Sequence, residues 1–285
     1  IATFLPIIYH VGDHAFVLSA LLCGGSVVLG RVPDPAAMAR AITEHKVTGF
    51  WAGSPQLLKG LVEAAEQNRD IDLGSLTVVL YGWGSIPPPL FRRLRQAARD
   101  DVRLVGLFGQ TEAIACHRFR PDLWPELYER TAPDVNYVGL PSPLLASTVV
   151  DEEGRSLLDR PGLVGEAVYR SPVVMAGYYR DEEATRHAFR DGWFHSQDAC
   201  EIGEHGLAVH QRDRHARLRL RRIPGPTQNA VGGTRLDEAE NGRTFEVGRG
   251  SAHATIRFGI ATVSSTILCA TPFSSRNSRI SRQRW

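Results

Sequence analysis

The feature that most constrains the fold is a repeated alternation ahead of residue 111. Short β-rich apolar runs, "SVVLG", "TGFWAGSP", "LTVVLYGWGS" and "VRLVGLFG", are separated by the stretches "DPAAMARAITEHKV", "PQLLKGLVEAAEQ" and "PPPLFRRLRQAAR". Each of these longer stretches carries proline near its start and apolar residues at helical spacing. Proline suits a first helical turn because the N–H it lacks has no partner there anyway. Strands without polar alternation, joined by helices, predict a mostly parallel sheet covered by helices. "FVLSALLCGG" reads as one more apolar helix, closed by glycine.

The pattern changes after about residue 136. "VGLPSP", "LASTVVDEEGRSLL", "GLVGEAVYRS" and "GLAVHQRDR" are short strands broken by Gly, Pro and acidic turns, which predict a small β-rich subdomain. It changes again near residue 215. The expected organisation is an α/β part over residues 1–135, a β-rich part over 136–214, and an atypical basic segment over 215–285. That last segment carries 12 Arg against 4 acidic residues. Only "ATIRFGIATVSSTILCA" in it could bury anything, so it reads as a disordered tail. Its charge could attract nucleic acid, but without interleaved aromatics a solvated tail is the preferred reading.

Composition narrows the function classes. With 43% hydrophobic residues, the 285-residue chain can bury a substantial core. It lacks the roughly 18 to 20 uninterrupted apolar residues of a membrane span and the pattern of a signal peptide, so a cytoplasmic location is expected. Cys23, Cys116, Cys200 and Cys269 have no paired metal-site spacing and read as buried thiols. Lys46 and Lys59 are the only lysines. There is no Gly-x-Ser-x-Gly elbow around Ser54, Ser85 or Ser196, and no Gly-x-x-x-x-Gly-Lys loop, which argues against a serine hydrolase and an ordinary P-loop enzyme.

Polar clusters follow several of the strands, where open parallel sheets bind ligands. In "YGWGSIPPP", Gly82, Trp83, Gly84 and Ser85 could bring backbone close to a flat ligand, or could be a plain turn. In "FGQTE", residues Phe108 to Glu112, the reading that needs no function makes Thr111 the cap of a following helix. The functional reading gives Thr111 a phosphate oxygen and Glu112 a hard cation such as Mg²⁺. In "RDGWFHSQDA", Asp198 could accept both hydroxyls of a ribose, or serve as a turn former. His10 and His14 have the spacing of two metal ligands on a helix, but Gly12 weakens that helix and no third ligand is evident.

Taken in order, these segments resemble the adenylate-forming enzymes, which include acyl-CoA synthetases, peptide-synthetase adenylation domains and firefly luciferase. The resemblance covers about residues 1–214. "YGWGSIPPPLFRRLRQ" resembles the family's Gly-Gly-Ala-Pro stretch, and "FGQTE" its Tyr/Phe-Gly-x-Thr-Glu signature. "FRDGWFHSQDACEIGEHGLAVHQRDR" resembles its Asp-Gly-Trp-Phe-His-Thr-Gly-Asp run and the Asp-Arg hinge beyond. The resemblance implies that Thr111 contacts the α-phosphate region and Glu112 helps hold Mg²⁺. It places Gly82 to Ser85 and Phe108, Gly109 and Gln110 around the nucleotide, Asp198 on the ribose, and Arg214, beside the hinge Asp213, on the adenylate. His10, Trp83 and Gly106 would shape an acyl pocket. The implied reaction uses ATP, Mg²⁺ and coenzyme A to activate a carboxylic acid, with a fatty acid preferred. A non-catalytic acyl- or adenylate-binding remnant and a peptide-synthetase-type domain are the alternatives.

The sequence also departs from that pattern. The family's phosphate loop would precede Ile1, its second catalytic lysine would lie far beyond Lys59, and Gln197 stands where glycine is usual before Asp198. These departures predict weak synthetase activity, or none, for this polypeptide by itself.

Overall fold

The computed structural model describes residues 1–5, 9, 16–211 and 254–256. Strand β1 (Ala2–Thr3) lies between β2 (Val27–Leu29) and β3 (Gly49–Trp51), parallel to both. Then β4 (Val78–Tyr81) and β5 (Arg103–Gln110) continue the sheet, again in parallel. The mostly parallel, helix-covered sheet expected from the alternation is therefore present.

The connecting helices begin where their sequences dictate. In α2 (Pro35–His45) the Asp34 carboxylate accepts from the Ala37 N–H at 2.7 Å, and in α3 (Pro55–Gln67) the Ser54 hydroxyl accepts from the Leu57 N–H at 3.3 Å. Each cap satisfies a donor that has no partner inside its helix. α4 (Pro88–Ala97) starts on proline alone. The helix expected from "FVLSALLCGG" is shorter than its apolar run: a π-type turn over 16–18 leads into α1 (Ser19–Leu22).

Helical spacing places the apolar residues on one face of each helix. Met38 and Ile42 of α2, Leu58, Leu61 and Val62 of α3, and Leu90, Phe91 and Leu94 of α4 join Phe50, Val79 and Leu104 of the strands in one core. Each large aliphatic side chain buried there contributes roughly 1.5–3 kcal/mol.

Beyond β5 the chain doubles back. β6 (Ile114–Phe119) pairs antiparallel with β5, from Gly106 opposite Phe119 to Gln110 opposite Ile114. The helix that Thr111 would have capped is absent, and Thr111 to Ala113 form the loop of a hairpin. Ile114 completes the turn in left-handed backbone (φ 56°), and "IACHRF" continues as strand, in keeping with its β-branched and aromatic residues.

The β-rich part follows α5 (Pro125–Thr131). It comprises β7 (Tyr137–Pro141), β8 (Ala146–Val150), β9 (Gly165–Arg170), β10 (Phe189–Arg190), β11 (Trp193–Ile202) and β12 (Ala208–His210), with α6 (Glu182–Ala188) before β10. β8, β9, β11, β12 and β7 pair antiparallel in that order. β7 also pairs with β6, so hydrogen bonding runs from one part into the other. A second core holds Val149, Ala167, Tyr169, Phe194 and Cys200, and it includes Ala113 and Cys116 from the hairpin. The hairpin tip is thus anchored in the second core while β5 belongs to the first sheet.

Of the basic segment, only β13 (Ala254–Ile256) is described, antiparallel to β2. The expectation of a disordered tail otherwise lies outside the described residues.

Candidate functional site

The β5–β6 hairpin presents Thr111 and Glu112 at its tip, with Thr111 exposed and Glu112 half-buried. Two contacts hold Glu112. Its carbonyl oxygen accepts from the Met175 N–H at 2.7 Å, and its Oε1 accepts from the Tyr178 hydroxyl at 3.2 Å. Burial, and then the Glu112 carboxylate itself, push the Tyr178 hydroxyl up to about 12, so it remains a donor. Below the tip, the Cys116 thiol faces the carbonyl oxygens of Ala113 and Ile114 at 3.7 and 3.6 Å. Burial pushes that thiol up to about 12, with the Asp198 and Glu112 carboxylates acting in the same direction. It is a protonated brace for the turn and not a nucleophile.

Asp198 approaches from the other part of the molecule. The pairing of β11 with β9 slips between His195 and Ala199, which leaves Ser196, Gln197 and Asp198 opposite Ala167 alone. Gln197 takes a left-handed backbone (φ 61°), and the Ser196 hydroxyl accepts from the Asp198 N–H at 3.0 Å. Asp198 Oδ1 lies 3.6 Å from His210 Nε2, and the His210 ring lies against Phe108 at a centroid distance of 5.0 Å. Phe108 belongs to "FGQTE". The two motifs, about ninety residues apart in sequence, therefore meet through His210.

Gln110 and Glu112 supply the test of fit for a nucleotide and its cation. Gln110 Nε2 is buried without a partner among the described residues, a donor that costs free energy until an acceptor reaches it. Among the described residues no group of three or more His, Cys, Asp or Glu could hold a metal. The single carboxylate of Glu112 suits Mg²⁺ only where phosphate oxygens complete the shell, and on those terms the residues fit.

The turn after β4 forms a further wall. Gly82 donates its N–H to the Gly53 carbonyl at 2.9 Å, and a Cβ on Gly82 would come within 3.0 Å of the Trp51 ring. Trp83 stands in left-handed backbone (φ 57°), is 70% exposed, and sits edge-on to the buried Trp51 at 5.8 Å. Gly84 is half-buried and Ser85 buried. Gly106, in the middle of β5, sits beneath the Tyr81 hydroxyl, which would be 2.8 Å from an added Cβ. His10, His14, Asp213 and Arg214 lie outside the described residues.

Sequence reasoning missed Tyr178, His210, Glu166 and His195. Tyr178 and His210 gave no usable signal, because each becomes relevant only through a partner distant in sequence. Glu166 did give one. It is a carboxylate inside "GLVGEAV", where every other residue is apolar or glycine, and such a residue stays buried only when it is paired.

A family model described as "AMP-binding enzyme" matches residues 1–179. The chain belongs to the AMP-binding enzyme family. Among curated members, it is 31% identical over 200 residues to feruloyl-CoA synthase from Amycolatopsis sp, covering 70% of this chain and 38% of that protein. It is 30% identical over 215 residues to the long-chain-fatty-acid–CoA ligase of Thermus thermophilus, covering 74% and 39%. Among solved structures, the amide bond synthetase McbA from Marinactinospora thermotolerans superposes with a TM-score of 0.60 at 29% identity, over 73% of this chain and 40% of that one. The chain thus spans about two-fifths of the length of these AMP-binding relatives.

Proposed function

We propose that this chain carries the nucleotide- and acid-binding part of an enzyme that uses ATP to convert a carboxylic acid into an acyl-adenylate, and then into its coenzyme A thioester. The observation that carries the reading is the convergence of "FGQTE" and Asp198 on one another through His210 and Phe108. A fatty acid is the first candidate substrate from the sequence, and the curated relatives include a feruloyl-CoA synthase and a long-chain-fatty-acid–CoA ligase.

The chemistry has to overcome a charge problem. The substrate carboxylate attacks the α-phosphorus, the bond to pyrophosphate breaks, and attacker, centre and leaving group are all anionic. Mg²⁺, when bound, would offset that charge, and Glu112 would hold it with phosphate oxygens completing its shell. Thr111 donates to an α-phosphate oxygen, and Gln110 Nε2 gains the acceptor it lacks. Asp198 accepts the ribose hydroxyls, the Gly82 to Ser85 turn lies along the adenine, and Arg214 contacts the adenylate. Trp83, Gly106 and His10 bound the acyl group. A thiol of coenzyme A then attacks the acyl carbon and AMP leaves.

A second reading has its own support. Lys46 pairs with Asp72 at 2.9 Å and Lys59 with Glu63 at 3.6 Å, and among the described residues neither lysine forms a salt bridge with Glu112 or Asp198. That favours binding of nucleotide and acid with little turnover.

Calorimetric titration with AMP and with MgATP, together with acid-dependent ATP–pyrophosphate exchange, tests both readings. Nucleotide binding weakened by Asp198→Ala, with exchange that needs Glu112, supports the enzyme. Binding without exchange supports the second reading, and absence of nucleotide binding overturns both.

A further inference from the structure

The irregularity in β11 needs something to hold it. Three residues stand opposite one, and Gln197 adopts a left-handed conformation that a side chain disfavours. Such geometry persists only where its surroundings enforce it. The residue that enforces it here is Glu166, on the neighbouring strand.

Glu166 is 6% exposed. Its Oε1 accepts from the Gln197 N–H at 2.9 Å, the donor that the slip in register removes from the ladder. Its Oε2 lies 2.8 Å from His195 Nδ1 and 3.4 Å from Arg190 Nη2. Arg190 Nη2 is also 2.7 Å from His195 Nδ1. A ring nitrogen cannot donate to Glu166 and accept from Arg190 at once, so the two contacts alternate with the tautomer. In either state the carboxylate keeps a cationic or N–H partner. Ser196 closes the other side, donating to the Ala167 carbonyl at 2.6 Å while accepting from the Asp198 N–H at 3.0 Å. Together these contacts brace the backbone that carries Asp198, and none of them uses the Asp198 carboxylate.

We infer that Glu166 is a positioning residue for Asp198: by accepting the Gln197 N–H it fixes the bulge that aims the Asp198 carboxylate at the ribose hydroxyls. The inference rests on the nucleotide reading given above. It separates Glu166 from an ordinary structural carboxylate, whose loss would lower stability and leave ligand discrimination unchanged.

The test compares the affinity of the full 285-residue chain for AMP and for the dideoxy analogue of AMP that lacks both ribose hydroxyls. Wild-type protein should prefer AMP by about tenfold or more, the effect of hydrogen bonds to an ionised acceptor, and Asp198→Ala should abolish the preference. Glu166→Ala should bring the preference to within about twofold of the Asp198→Ala value, although Glu166 never meets the nucleotide. Adding Gln197→Gly should restore at least about threefold, because glycine takes the left-handed backbone without help. If Glu166→Ala does not fold, Glu166→Leu replaces it: it fills much of the same space and offers the Gln197 N–H no acceptor, so the preference should again fall by at least about threefold.

Folded Glu166 variants that keep the wild-type preference overturn the inference and leave the nucleotide reading standing. A wild-type chain that binds AMP and its dideoxy analogue equally overturns the nucleotide reading, and the inference with it.

Discussion

The Tyr178 hydroxyl donates to Glu112 Oε1 at 3.2 Å, although 66 residues separate the two in sequence. The bond orients the carboxylate at the hairpin tip, the one that the proposed function assigns to Mg²⁺. Tyr178→Phe removes the donor and keeps the ring. A hydrogen bond to a carboxylate of this kind is worth about 1 kcal/mol net, so the Mg²⁺-dependent part of ATP affinity should fall roughly three- to tenfold. AMP affinity measured without Mg²⁺ should not change. Equal losses for both ligands would show that Tyr178 acts through folding and not through Glu112.

Gln197 stands in left-handed backbone, which costs a residue with a Cβ about 1–2 kcal/mol relative to its ordinary conformations. Gln197→Gly removes that cost but loosens the unfolded chain, so the net gain should be about 1 kcal/mol. A rise in melting temperature of about 2–4 °C is the expected readout in a domain of this size. A fall would mean that the Gln197 side chain makes a compensating contact.

His117 is a buried base. It is 2% exposed, Nε2 lies 3.1 Å from Ser147 Oγ, and Nδ1 has no partner among the described residues. Burial lowers its pKa from 6.5 to about 4. Between those values the unfolded chain binds the proton and the folded chain does not, so stability is complete above the unfolded pKa and is lost as pH falls towards the folded one. The contribution of His117 should make the protein about 3 kcal/mol less stable at pH 4 than at pH 7. Urea titrations at both pH values should show that difference shrinking in His117→Leu. An unchanged difference would assign the acid sensitivity to other groups.

Gly106 faces Tyr81 across adjacent parallel strands, where an added Cβ would lie 2.8 Å from the hydroxyl and 2.9 Å from Cζ. Tyr81 is 3% exposed and has nowhere to move. Gly106→Ala should therefore cost about 1–3 kcal/mol by overpacking, read from denaturant midpoints. Tyr81→Phe in the same chain should recover part of that loss, since it removes the nearer of the two atoms. Additive losses would place the strain elsewhere.

By itself the sequence determined the parallel sheet and its helices. Those elements follow from local rules: proline and a capping Asp34 or Ser54 start the helices, and uninterrupted apolar runs must be covered on both faces. It also singled out Thr111, Glu112 and Asp198 as candidates, because their motifs are contiguous. It pointed to a helix after Thr111 where a hairpin stands, since capping chemistry and hairpin chemistry use the same small polar residues and only pairing with β5 decides between them. Tertiary structure alone brought Tyr178 to Glu112, His210 between Asp198 and Phe108, and Glu166 beneath the bulge. Each of these relationships joins residues from separate elements. Strand register sets their distances, and register is fixed by which faces find a core and not by any residue's immediate neighbours.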